Sequence, residues 1–173
     1  MASGLDLRKY QEGILAKLES VAASGSSASN SRLGVSVGKE NILVNLSEIS
    51  EVIPLPEMHV VPLTKPWFLG MANIRGNLYG INDLAMLAGH PPVARTNNSR
   101  VLLVNQDMMA QAGIVVERLI GLRSLDDLKV RESTHEKLFC FKQVEYEDAD
   151  GVRWVELDCQ ALVESKDFMQ PSI

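Results

Sequence analysis

The sequence predicts a mainly β protein, built as small barrels or a sandwich with a few short helices. Short apolar stretches recur every 8–12 residues or so, each bounded by Gly, Pro, Asn or Asp. No long helical pattern alternates with these stretches, which argues against a doubly wound parallel sheet. A chain of 173 residues can form one domain, or two small subdomains that share a core.

The composition argues against two classes of partner. The formal net charge is −5 and aromatic residues make up 5%, whereas a small-barrel nucleic-acid binder needs a basic face with exposed aromatics. No apolar run approaches the ~20 residues that cross a bilayer. The N-terminus MASGLDLRKYQEG lacks the charged and apolar regions of a secretory signal, so we expect a cytoplasmic protein.

The first 31 residues are expected to be an appendage. Apolar residues recur at helical spacing over residues 5–21, which predicts an amphipathic helix. Residues 22–31, AASGSSASNS, are small and polar and predict a flexible linker. The helix either folds back on the domain or binds a partner. The domain itself is expected to cover residues 32–173.

The domain begins with a predicted β-hairpin. Residues 32–37 alternate Leu33, Val35 and Val37 with Arg32, Gly34 and Ser36, and residues 42–46 follow a GKEN turn. Ser47 is then expected to cap a short helix, and Pro54 and Pro56 to end regular structure.

The second half of the chain predicts further strands. Residues 100–106 form a buried strand and residues 112–122 a longer one. Residues 138–147 and 152–157 flank EDADG, which predicts a hairpin with an Asp-Gly corner. A final helix is expected to start at Asp158, whose carboxylate can cap it.

Residues 71–81 predict a hairpin that presents an arginine. Gly76 and Asn77 are expected to be the two corner residues, with Gly76 supplying the positive φ of a type II′ turn. Asn82 is expected to cap the helix DLAMLA. The glycine does not lead from a strand into a helix, so it is not a phosphate site. Arg75 is left exposed, either as a surface residue without a role or as an interface residue.

No residues converge on a catalytic or metal site in the sequence. The three histidines, His59, His90 and His135, stand alone, and Cys140 and Cys159 lack metal-ligand spacing. An enzyme using Cys159 would need a nearby base, which no spacing reveals. We therefore predict no catalysis, no metal and no cofactor, with free cysteine thiols in a reducing compartment.

The predicted hairpin of residues 71–81 and its flanking residues resemble a known family signature. The stretch FLGMANIRGNLYGINDL is similar to the hallmark of CheW-like chemotaxis coupling domains. The positions that match in place are Phe68, Gly70, Asn73, Ile74, Arg75, Gly76, Asp83 and Leu84. The segments SEISEVIPLPEMHVVPLTKPWFLG, GIVVERLIGL and WVELDCQALV also resemble family segments, in the right order over residues 32–166. Gly80 departs from the usual proline and Glu117 from the usual aspartate.

The resemblance implies both a fold and a role. The fold would be two five-stranded SH3-like barrels that share a hydrophobic core. The role would be a non-catalytic adaptor between the cytoplasmic tip of a methyl-accepting receptor and the regulatory domain of a histidine kinase, in arrays at the membrane. The added N-terminal segment resembles the twitching-motility (PilI-like) branch. The alternatives are a flagellar coupling protein and an interaction module with another partner.

The resemblance also implies which residues act. The family's receptor contacts fall on Ile49, Glu51, Val52 and Arg75, beside the hairpin turn of Asn73, Gly76 and Asn77. The kinase is expected to bind apolar surfaces at the barrel ends, whose residues are not assigned.

Overall fold

The computed structural model describes residues 30–108, 111–132 and 141–173. The predicted N-terminal helix and most of the predicted linker lie outside these residues, as do His135 and Cys140. The described chain is mainly β, as predicted, with strands that form two sheets.

The elements follow one another with short connections. In chain order the strands are β1 (Ser31–Val37), β2 (Glu40–Asn45), β3 (Ile49–Pro54), β4 (Phe68–Ile74), β5 (Asn77–Asp83), β6 (Arg100–Val104), β7 (Ala112–Val116), β8 (Arg118–Ser124), β9 (Lys129–Glu132), β10 (Phe141–Glu147) and β11 (Arg153–Leu157). The helices are α1 (Leu84–Leu87), α2 (Cys159–Glu164) and α3 (Lys166–Met169), with 3₁₀ turns at Leu46–Glu48 and Leu125–Asp127.

The two sheets are interleaved along the chain. The first sheet has the strand order β8-β1-β2-β11-β10-β9, and the second has the order β3-β6-β7-β5-β4. The second sheet is therefore one continuous stretch of chain inserted between the two parts of the first. The second sheet has the five strands expected of it. The first has six among the described residues, because β9 adds to the edge of β10.

Both faces of β1 are buried. Leu33, Val35 and Val37 enter a core that also contains residues of the second sheet, such as Ile81 and Ile114. The opposite face lies over a smaller cluster around Trp154, Leu43 and Leu128. Gly34 makes room there, since a Cβ at this position would lie 2.9 Å from Trp154 Cζ3. The alternation of apolar and polar residues in β1 is typical of a strand with one exposed face, but here both faces are covered.

The predicted long strand over residues 112–122 is wrong, because it is two strands in different sheets. β7 pairs with β5 and β6 in the second sheet, whereas β8 pairs with β1 in the first. The chain crosses between the sheets at Glu117, whose N–H donates to Ser36 O at 2.9 Å. Its carboxylate accepts from the N–H of Gly38 at 3.0 Å. The run has no Pro, and its two glycines, Gly113 and Gly121, lie inside the two strands rather than at the crossing, so no turn residue marks the change of sheet.

The predicted helix cap at Ser47 is also wrong. Asn45 is the cap, and its Oδ1 accepts from the N–H of Ser47 at 3.1 Å. Only a 3₁₀ turn follows, and the chain then continues as β3, an edge strand paired with β6. β3 ends at Pro54, as expected, because proline has no N–H to donate to a ladder.

Helix α1 is capped by Asp83 rather than by the predicted Asn82. Asp83 Oδ1 accepts from the N–H of Met86 at 3.1 Å, and its Oδ2 accepts from the N–H of Val93 at 2.9 Å. Asn82 is buried and donates to the carbonyls of Gly80 and Gly113. Strand β5 continues two residues past the predicted end at Ile81, through Asn82 to Asp83, and the cap is therefore Asp83.

The C-terminal part follows the prediction more closely. β10 and β11 form an antiparallel hairpin around Asp150-Gly151, and α2 begins after its cap, Asp158. The short strand β9 and the helix α3 were not predicted. β9 has only four residues, all exposed. Its sequence KVRE has no apolar pattern, and this is why the strand was missed.

Candidate functional site

The β4–β5 hairpin turns at Arg75 and Gly76. Ile74 pairs with Asn77, so the two corner residues lie one position earlier than predicted. Arg75 has φ +53° and Gly76 has φ +85°, and positive φ at both corner residues is the pattern of a type I′ turn. The prediction of a type II′ turn at Gly76-Asn77 is therefore wrong, because it left Arg75 in the strand.

Asn73 supports this turn with its side chain. Its Oδ1 accepts from the N–H of Gly76 at 2.9 Å. The bond occupies a corner N–H and opposes a shift of register. Asn77, the first residue of β5, is exposed beside the corner. The turn therefore presents the Arg75 side chain from a backbone that several contacts hold in place.

Arg75 forms an ion pair with Glu51 on β3. Its Nη1 donates to Glu51 Oε2 at 2.8 Å, and its Nη2 donates to Oε1 of the same carboxylate. β3 and β4 are the two edges of the second sheet, at opposite ends of its strand order. The sheet must curve strongly for these residues to meet. Two of the residues implied by the family resemblance thus lie in direct contact, 24 positions apart.

Ile49 and Val52 lie on β3, the same strand as Glu51. Both are half-buried and pack against the shared core. Glu51 is 30% exposed at its side chain and Arg75 is 73% exposed. The surface therefore combines partly covered aliphatic groups with one bidentate ion pair, a composition suited to binding an apolar partner segment.

Sequence reasoning missed two apolar neighbours of this surface. Ile74 precedes Arg75 and is half-buried against the core. Leu78 lies directly opposite Asn73 across the hairpin and is 53% exposed. The predicted corner at Gly76-Asn77 would set Leu78 opposite Arg75, so neither the true partner of Leu78 nor its exposure could be read from the sequence. Ile74 could be placed only once the turn was known.

Among the described residues, those considered for chemistry show no convergence on a reaction site. Burial raises the pKa of the Cys159 thiol to about 12, and the carboxylates of Glu48 and Asp158 add to this effect. A start-of-helix position does not lower it. His59 serves through its backbone, which exchanges two hydrogen bonds with Met71. Within the described ranges, no group of three or more His, Cys, Asp or Glu side chains could hold a metal ion.

The CheW-like domain family matches residues 32–167, which include both sheets and the Glu51–Arg75 pair. This chain belongs to the CheW-like domain family. The resemblance of the hairpin segment is confirmed, and the matched range ends within α3.

Two known proteins are similar to this CheW-like domain. Protein PilI of Pseudomonas aeruginosa is 29% identical over 116 residues, which cover 67% of this chain and 61% of that protein. The match thus spans about three fifths of the length of this curated relative. The crystal structure of the scaffolding protein TtCheW from Thermoanaerobacter tengcongensis has a TM-score of 0.66 at 17% identity, and the match covers 79% of this chain and 94% of that one. It shares the fold.

Helices suited to crossing a bilayer were sought over the described ranges. None of the helices there is both long and apolar enough to span a membrane.

Proposed function

We propose that this CheW-like protein is a non-catalytic adaptor that couples methyl-accepting receptors to a chemotaxis-type histidine kinase. The contact between Glu51 and Arg75 carries the proposal. This ion pair joins the two edge strands of the second sheet, and its Glu51 lies on the same edge strand as Ile49 and Val52. Such a surface suits a helical receptor tip, because half-buried aliphatic groups can receive apolar side chains and an exposed arginine on a defined turn offers a polar contact beside them.

The pathway is the second part of the proposal. The similarity to protein PilI supports a role in type IV pilus twitching motility. The adaptor would act in the cytoplasm, in receptor arrays at the membrane, with residues 1–31 as an appendage to the domain of residues 32–173. It would hold the regulatory domain of the kinase at a barrel end. The receptor would change kinase activity only if its two states contact the adaptor differently.

The receptor-binding surface is tested with Arg75→Asn. Asparagine tolerates positive φ, so this change removes the guanidinium without disturbing the turn. We expect binding to a receptor tip fragment to weaken by about 1–3 kcal/mol, or roughly 5–150-fold. The affinity is measured by isothermal titration with the purified full chain.

Arg95→Asn is the matched control, since Arg95 is exposed in the loop between α1 and β6. It should leave receptor affinity unchanged. Binding to the kinase regulatory domain is titrated separately and should survive both changes. Equal receptor affinity of the wild type and Arg75→Asn would contradict the assigned surface. Absence of binding to both partners would contradict the adaptor function itself.

The pathway is tested by comparing kinases. Regulatory domains of a pilus-associated and a flagellar chemotaxis kinase from the same cell are titrated against the same preparation. We expect tighter binding to the pilus-associated domain. Tighter binding to the flagellar domain would keep the adaptor role and overturn the pathway.

A further inference from the structure

A cluster of charged side chains lies at one end of the first sheet. Glu156 on β11 is almost fully buried, and its Oε1 accepts from Arg32 Nε and from Lys142 Nζ, each at 2.9 Å. Arg32 on β1 is also buried, whereas Lys142 on β10 is partly exposed. One carboxylate here is therefore paired with two cations.

Glu48 adds a carboxyl group near this cluster, and one of its two oxygens, Oε2, has no hydrogen-bond donor among the described residues. It is the last residue of the 3₁₀ turn that carries the chain from β2 in the first sheet to β3 in the second. Its Oε2 is shielded from solvent and accepts no hydrogen bond within the part of the chain that the structure describes. Its backbone carbonyl accepts from the N–H of Asn105 at 2.8 Å, which ties the turn to the end of β6.

The charged groups that act on Glu48 lie on β1, β10 and β11 and at the cap of α2. Burial raises the pKa of Glu48, and the nearby carboxylates of Glu156 and Asp158 raise it further. Lys142 and Arg32 act in the opposite direction. Cys159, at the start of α2, stays a neutral thiol because its own pKa is about 12.

The balance of charge favours a proton on Glu48. Three carboxyl groups, Glu48, Glu156 and Asp158, face two cations, Arg32 and Lys142. Glu156 is bound by both cations, and Asp158 accepts from the N–H of Ala161 as a helix cap. A proton on Glu48 makes this set of charges neutral, and it relieves the cost of a charged oxygen, Oε2, that is shielded from solvent and has no hydrogen-bond donor among the described residues.

We propose that Glu48 is a proton-operated switch at the crossing between the two sheets. With its proton bound, the carboxyl group stays inside and holds the Leu46–Glu48 turn. When it releases the proton to solvent, the carboxylate turns outward, and the turn and the start of β3 loosen. β3 begins at the next residue, Ile49, so the proton would control order in the strand that carries Glu51. The switch does not rest on the proposed adaptor function, and its test needs no partner.

The sign of the effect defines the first experiment. A glutamate with a raised pKa in the folded state adds stability below its ordinary pKa, and this is lost as pH rises through the raised value. Glu48→Gln mimics the protonated form. The wild type should therefore lose stability relative to Glu48→Gln with rising pH, measured by urea unfolding of the full chain. Amide hydrogen exchange over residues 46–54, corrected for the intrinsic rate, should speed up with pH in the wild type only.

The control is Glu57→Gln, at an exposed glutamate in the loop after β3. Its stability should follow the wild type at every pH. A constant difference between Glu48→Gln and the wild type over the whole pH range would overturn the switch. So would hydrogen exchange in residues 46–54 that responds to pH equally in both proteins.

A second measurement does not depend on how Glu48→Gln folds. The carboxyl carbon of Glu48 is titrated by NMR in the wild type and in Lys142→Gln. Removing the cation should move the midpoint of Glu48 upward, since Lys142 favours the ionised form. A midpoint in the ordinary glutamate range, unmoved in Lys142→Gln, would overturn the proposal.

Discussion

Arg75 is a non-glycine residue in a backbone conformation that most side chains avoid. Its φ is +53°, and Gly76 follows with φ +85°. Residues other than Gly, Asn and Asp pay a conformational cost there, of the order of 1 kcal/mol. The ion pair with Glu51 is largely exposed, so its contribution to stability is about 0–1 kcal/mol. Arginine at this corner is thus not explained by stability, which is consistent with a binding role.

Gly76→Val tests the turn. A β-branched side chain resists positive φ, so we expect unfolding free energy to fall by about 1–3 kcal/mol. Gly76→Asn is the control and should lose much less, because asparagine tolerates this conformation. Both values come from urea unfolding. Equal losses in the two variants would show that backbone conformation is not the cause.

Cys159 provides a second test at the scale of one residue. With its pKa raised to about 12 by burial, the thiol should not react with Ellman's reagent at about pH 8 in the folded protein. The measurement uses Cys140→Ser, so that only one thiol is counted. Full reaction should appear in denaturant. Rapid reaction of the folded variant would mean that the thiol is accessible.

The β10–β11 hairpin shows how one carboxylate organises an element. Asp148 Oδ1 accepts from the N–H groups of Asp150 and Val152, each at 2.9 Å, and its Oδ2 accepts from Trp154 Nε1 at 3.1 Å. The bond from Trp154 is the largest cause that lowers the pKa of Asp148, followed by the bond from Val152. The carboxylate thereby links the loop to the tryptophan at the centre of the smaller core.

Asp148→Asn should make the hairpin less stable in a pH-dependent way. A lowered pKa means that the carboxylate stabilises the fold above its ordinary pKa, and that this is lost as pH falls through the lowered value. We expect a loss of stability near pH 7 that shrinks below about pH 4. Urea unfolding followed by tryptophan fluorescence measures it. Asp150→Asn, at the exposed corner, is the control and should show no such dependence.

At the scale of the whole molecule, the C-terminal segment joins the two sheets. The chain leaves the first sheet after β11, and α3 then packs beside the loop that leads into β4. Phe168 is buried and stacks on Trp67, with ring centroids 6.0 Å apart and an angle of 14°. The last residues pair with the same loop, since Lys65 N–H donates to Pro171 O and Ile173 N–H to Leu63 O.

Phe168→Ala should therefore destabilise the whole domain. Truncating a buried phenylalanine costs about 3–5 kcal/mol, and we expect a loss in that range in the unfolding free energy. Met169→Ala, at a neighbour that is 54% exposed, is the control and should lose less than about 1 kcal/mol. A small loss for Phe168→Ala would mean that the C-terminal segment is not part of the cooperative unit.

The pattern of short apolar stretches sufficed for the fold class, the hairpin at Asp150-Gly151 and the helix after Asp158, because each depends on neighbouring residues. Its errors are mostly small shifts at element ends. The turn moved to Arg75-Gly76, and the cap moved to Asp83. The division of residues 112–122 between two sheets is marked by no Gly or Pro at the crossing, only by the charged pair Glu117-Arg118.

The sequence by itself determined that this is a mainly β protein with the CheW-like signature. Strand patterns, turns and the signature all depend on residues that are close together in the chain. Only the tertiary structure brought Arg75 to Glu51 and placed Glu48 near enough to Glu156, Asp158, Arg32 and Lys142 for their charges to act on it. Those contacts join residues far apart in the chain. They depend on how the sheets curve and where the chain crosses between them, and these follow from packing of the whole core.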